Sequence, residues 1–127
     1  MLVMALGKQA ALPIAQKLAT DSELGVRLAA ARVLVQCGDK EAARRVFAAS
    51  LQDVQAAADL AALGDKAGID ALSAAVHDKQ RTAEQRIVAA DAHHSAHHVT
   101  AGLVAALADA DGLVRVEAAG VLGILAK

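Results

Sequence analysis

The sequence predicts an all-α protein built as a stack of helical hairpins, and three observations carry that expectation. Of 127 residues 56% are hydrophobic, yet the chain has one Phe and neither Trp nor Tyr. Alanine supplies the excess; it loses no side-chain entropy in a helix, whereas strands favour β-branched and aromatic residues. Apolar residues also recur at helical rather than alternating spacing. Finally, one helical frame returns along the chain. It is clearest at Val26–Gly38, where Val26, Ala30, Val33, Leu34 and Cys37 form a single apolar stripe and Gly38-Asp39 ends the helix.

Taken in order, residues 1–8 match the end of this frame through Ala5-Leu6-Gly7, as a partial repeat. The repeat over 9–38 has a first helix at Leu12–Ala19, with Pro13 near its start, where a missing N–H costs little. Its second helix is the frame at Val26. The repeat over 39–64 pairs Lys40–Leu51 with Gln52–Gly64, placing Ala56 and Leu60 in the buried slots and Gly64-Asp65 at the stop. The repeat over 65–96 pairs Lys66–His77, striped by Ile69, Leu72, Ala75 and Val76, with a helix around Arg86 and Ala89 that should turn near His97. The last, 97–127, pairs His98–Ala108 with Leu113–Ala126, whose Ala118 and Leu122 stay in register. Arg86 and Arg115 are 29 residues apart and Arg27 and Arg86 are 59, two periods of about 30. A single hairpin cannot bury its own apolar face, so such repeats need their neighbours. The expectation is one domain of about four hairpins plus the partial N-terminal repeat.

The Val-Arg, Ala, Leu and Gly-Asp frame follows an Asp-to-Arg turn of six residues, seen at Asp21–Arg27 and at Asp109–Arg115. This pattern resembles the bacterial HEAT-like repeats of phycobilin lyase proteins. The resemblance implies a right-handed α–α superhelix, a HEAT-like solenoid, in which the aspartate caps the second helix and the arginine pairs along the stack. The ladder is incomplete: Gln52-Asp53 occupies the Val-Arg slot of the second copy and Gln80 the aspartate slot of the third. Such repeats serve unrelated jobs, so the frame speaks for fold and not for function. Neither end carries the polar closing face usual in solenoids, so the chain reads as part of a longer protein or as one that stacks end to end.

Composition narrows the function classes. A formal charge of −1, with both signs interspersed, lacks the basic excess of a nucleic-acid binder, and a single Phe with neither Trp nor Tyr offers little to stack bases. The single cysteine, Cys37, cannot form an internal disulfide. No secretory signal precedes the first repeat, since Lys8 follows rather than leads the short apolar start. No apolar run is long enough to span a bilayer. The expected location is the cytoplasm.

Candidate sites are few. The second helices of a stack line its concave side in the families this chain resembles, and their outward positions are Arg32, Gln36, Gln55, Asp59, Asp91, His94, Ser95 and Glu117. They suggest a mixed groove for a protein or peptide, and a scaffold rather than an enzyme. The one unusual cluster is His93, His94, His97 and His98, whose i, i+4 spacings could offer imidazoles to Zn²⁺ or Ni²⁺, with Asp91 in support. Against that, His93 takes a slot that other copies fill with leucine, which makes it a core residue, and the turn near His97 breaks the helical spacing. A third reading, a chromophore-lyase-like helper, is implied only by the resemblance. His77 suits a helix C-terminus, Cys37 an apolar slot, and Arg44-Arg45 a solvated face. No phosphate loop, nucleophile elbow or zinc-protease helix is present, and no cofactor is expected.

Overall fold

A computed structural model describes residues 2–127, with side chains from Gly7 onward. The described residues form α-helices joined by short turns, with no strand: α1 (Leu2–Leu18), α2 (Leu24–Gln36), α3 (Lys40–Ala48), α4 (Val54–Ala62), α5 (Lys66–Val76), α6 (Ala83–Ala96), α7 (Ala101–Ala105), continued as a tighter turn over Ala106–Ala108, and α8 (Gly112–Leu125). No helix among them is long and apolar enough to cross a membrane.

Side-chain caps fix where most helices begin. Asp39, Asp53, Asp65, Thr100 and Asp111 each accept a hydrogen bond from a backbone N–H in the first turn, and Thr82 with Gln85 forms a reciprocal capping box. Each such cap contributes about 1 kcal/mol. The stops are equally local. Gly38 (φ 91°) and Gly64 (φ 81°) take the left-handed region, and the next N–H, of Asp39 and Asp65, reaches back to the carbonyls of Leu34 and Leu60. That is the six-to-one closure of a Schellman ending. His97 (φ 56°) ends α6 in the same left-handed conformation without being glycine.

The chain divides into two compact units, Met1–Ser50 and Leu51–Lys127. In the first, α2 packs against both α1 and α3, and Leu28, Ala31, Leu34, Ala43 and Phe47 are buried. In the second, α4 packs on α6 and α6 on α8, while α5 packs on α4, α6 and α7. One apolar cluster joins Ala57, Ala58 and Ala61 to Leu72, Ala92 and Ala96; another joins Val76, Ala89, Ala90 and Leu103 to Val114, Ala118 and Val121. Alanine at these facing positions lets helix backbones approach closely.

Two expectations, on Pro13 and on His98, are corrected. Pro13 does not open a helix: α1 runs unbroken through it, and the N–H it lacks leaves the exposed Gln9 without its helical donor. The reading of 1–8 as a separate partial repeat depends on Ala5 and Leu6, whose side chains lie outside the described residues; the backbone has no break at 8. His98 does not begin a helix either, because Thr100 supplies the cap and α7 starts at Ala101.

Candidate functional site

The repeated arginine makes one recurring contact. Nη1 of Arg27 donates to the carbonyls of Asp21 (2.8 Å) and Ser22 (3.0 Å), and Nη1 of Arg115 to those of Asp109 (2.6 Å) and Ala110 (3.2 Å). Nη1 of Arg86 donates to the carbonyl of Arg81 at 2.7 Å. Each guanidinium thus folds back on the turn that precedes its own helix. Arg86 does more: its Nε and Nη2 grip both oxygens of Asp109 at 2.9 and 3.1 Å, a bidentate pair with side chains only 12% and 9% exposed. The Arg86 hydrogen bond, reinforced by the Asp111 N–H, holds the Asp109 carboxyl below its ordinary range. The aspartates of the Asp-to-Arg turn are not helix caps, as the resemblance implied. Asp21 and Asp109 accept from the N–H two residues on, of Glu23 and Asp111; Asp111 itself caps α8, and Glu23 precedes α2 without a side-chain cap.

Of the expected concave-face residues, Gln55, Asp91, His94 and Ser95 in the second unit are exposed, while Asp59 and Glu117 are half-buried. Arg32 and Gln36, in the first unit, are also exposed. Neither Arg32 nor Asp59 is without a partner, and the Ser95 hydroxyl donates to the Ala92 carbonyl of its own helix at 3.0 Å. Gln55 lines a hollow, an open groove of about 490 Å³ between the N-terminal halves of α4 and α6. Gln52, Arg81, Glu84 and Val88 share its walls. Val88 is 49% exposed, a large apolar side chain among these polar ones. Glu84 and Val88 were not among the expected residues. They stand seven and three residues before Asp91, on the same helical stripe, so extending that stripe toward the start of α6 would have found them.

The histidines separate. His93 is fully buried; its Nδ1 lies 2.7 Å from the Ala89 carbonyl and its Nε2 2.8 Å from Thr100 Oγ1. A carbonyl only accepts, so Nδ1 carries the proton. Nε2 then accepts from the Thr100 hydroxyl, whose oxygen in turn accepts from the Leu103 N–H at 3.1 Å. Both ring nitrogens are therefore engaged within the fold. His94 is exposed near the end of α6, His97 sits in the left-handed cap with its ring centroid 6.4 Å from that of His94, and His98 follows in the loop. Among the described residues no group of three or more His, Cys, Asp or Glu side chains is disposed to hold a metal ion.

Burial, with a smaller contribution from His98, depresses the His93 pKa below 6.5. The ring is neutral when folded and gains its proton more readily when unfolded, so stability is lost as pH falls from about 6.5 towards the lower folded value. Between pH 7.5 and 5 the loss from this residue is at most about 2 kcal/mol, since each pH unit below the unfolded pKa contributes up to about 1.4 kcal/mol. Urea denaturation of His93→Leu should remove that part of the slope; a slope unchanged in the variant would assign it to other groups.

The remaining candidates make local contacts. Cys37 is half-buried rather than inside, with Sγ 3.7 Å from the Lys8 carbonyl. His77 ends α5, and its Nδ1 lies 2.8 Å from the Ser73 carbonyl. Arg44 pairs with Glu41 at 3.5 Å. No family model, no curated protein and no solved structure matches this chain.

Proposed function

We propose that the chain is a HEAT-type, right-handed α–α superhelix acting as a non-catalytic scaffold that binds a polypeptide on the exposed face of its second helices. The observation that carries the reading is the order of helix contacts in the second unit, from α4 to α6 to α8 in one row and from α5 to α7 in the other. Stacked hairpins pack in this way, each repeat touching mainly its neighbours and leaving one face of each row to solvent. The α4/α6 groove is the contact centre in this reading. Val88 offers an apolar seat, and Glu84 and Asp91 favour a basic side chain beside it, so the proposed ligand is a short segment with one apolar and one basic anchor.

The test is to pan a random peptide library on the immobilised chain and to titrate the enriched peptides by calorimetry. Val88→Asp and Asp91→Lys are exposed substitutions that leave the core intact, and each should weaken binding by about tenfold or more, equivalent to 1.4 kcal/mol. Enriched peptides that bind both variants as tightly as the unmodified chain would exclude this groove.

A further inference from the structure

The joint between α6 and α8 shows what one second helix presents to the next. Ile87 and Ala90 of α6 share a core with Val114, Ala118 and Val121 of α8, and Arg86 grips Asp109 in the turn before α8. Advancing by the 29 residues from Arg86 to Arg115 places Val116 and Ala119 of α8 where Ile87 and Ala90 stand on α6. With Leu107 and Leu113 these two line an open hollow of about 710 Å³, and Leu113 and Val116 are each 69% exposed. Going back the 88 residues from Arg115 to Arg27 places Val26, Ala30 and Val33 of α2 where Val114, Ala118 and Val121 stand on α8. Together with Ile14 and Leu18 of α1, they line an apolar groove of about 410 Å³. The chain therefore carries both halves of the α6/α8 joint a second time, and each lines an open hollow.

The charges complete the match. Arg115, the counterpart of Arg86, directs Nη1 to its own turn and lacks the bidentate carboxylate that Arg86 holds. Asp21, the counterpart of Asp109, accepts from the Glu23 N–H, and among the described residues no ion pair reaches it. We propose that copies of this chain associate head to tail: α8 of one copy seats in the α1/α2 groove of the next, and Arg115 of the first grips Asp21 of the second. The contact joins two different surfaces, so it propagates into a ring or an open chain instead of stopping at a symmetric dimer. The joint is not an exact replica. Ile14 stands where the register places Gly102, so the first-helix side must open slightly, and Ile14 and Leu18 fill the added space. The α4/α6 groove takes no part in this contact.

Sedimentation velocity on the intact chain tests the proposal, from about 1 μM to about 1 mM, the range in which a joint of moderate affinity saturates. The mass is expected to grow past the dimer with concentration and to fall with added salt. Val116→Glu and Ile14→Glu alter side chains 69% and 61% exposed, so both variants should keep the helical spectrum of the parent and each should remain monomeric. Mixed in equal amounts they should form a heterodimer and nothing larger, because each retains one intact face. A parent chain that stays monomeric throughout would overturn the proposal and leave both faces to a different partner. A single variant that still dimerises, or a mixture that does not pair, would overturn it as well.

Discussion

Arg86→Ala is expected to lower the unfolding free energy by about 2–4 kcal/mol, somewhat less than the loss from breaking a fully buried ion pair because some water reaches this one. The substitution leaves the Asp109 carboxylate, which is 9% exposed, without its counter-ion and with only the Asp111 N–H as donor, and removes the hydrogen bond to the Arg81 carbonyl. Arg115→Ala is the internal comparison. It deletes the same contact to a turn carbonyl but no bidentate pair, and should cost about 1 kcal/mol, the net worth of an ordinary hydrogen bond. With neither Trp nor Tyr in the chain, far-UV circular dichroism in urea is the practical readout. A double-mutant cycle with Asp109→Ala isolates the pairwise coupling. Equal losses for the two arginines would mean that the ion pair adds nothing to the turn contact. The pH dependence follows from the depressed Asp109 carboxyl: the pair's contribution is present above the ordinary carboxylate value of 3.8 and is lost as pH falls below it. Arg86→Ala should therefore flatten the acid limb of the stability curve.

The features of this fold that could be read from the sequence are those encoded within a few residues. Gly38 and Gly64 ended their helices where the frame placed the stops, because a left-handed residue is a local requirement, and His93 pointed inward because it occupies a leucine slot. Pro13 was misplaced because a proline at a helix start and one tolerated on an exposed helix face give the same local signal. The start of α7 slipped from His98 to Thr100 for a related reason, since a cap is defined by the backbone N–H groups it satisfies and not by helical periodicity. The roles of Asp21 and Asp109 in their turns, one step before the helix, depend on backbone geometry that no spacing rule distinguishes from a cap. The Arg86–Asp109 grip spans 23 residues, and only the resemblance to a ladder hinted at it. Gln55 in the α4/α6 groove, and Asp91 further along α6, were legible as outward positions. Val88 was missed because an exposed valine looks like a core residue until the helix is rotated into place.

Gly102→Ala is expected to destabilise the chain by about 3 kcal/mol or more, at the upper end of what overpacking costs. A Cβ at this position would fall inside the envelope of the Ser73 carbonyl oxygen, and within 2.7 Å of its carbon and 2.8 Å of His77 Nδ1. The obstacle is the backbone of a packed helix, which cannot rotate aside as a side chain would. α7 would have to withdraw from α5, breaking the bond from the Gly102 N–H to Ser73 Oγ (2.8 Å) and loosening Leu103 and Ala106, which are 0% and 1% exposed. Gly120→Ala is the matched control: nothing lies within 4 Å of its Cβ position, so the gain in helix propensity should stabilise by about 0.5–1 kcal/mol. The same added methyl thus has opposite signs at two helical glycines, and a thermal melt should separate them by more than about 10 °C for a unit of this size. A neutral Gly102→Ala would mean that α7 does not seat on α5 at this distance, and the second row of the proposed stack would lose its support. The register gives the same result from another direction. Ile14, which the 88-residue register sets against Gly102, is 61% exposed, so a glycine is needed at this register only where one helix backbone closes on another.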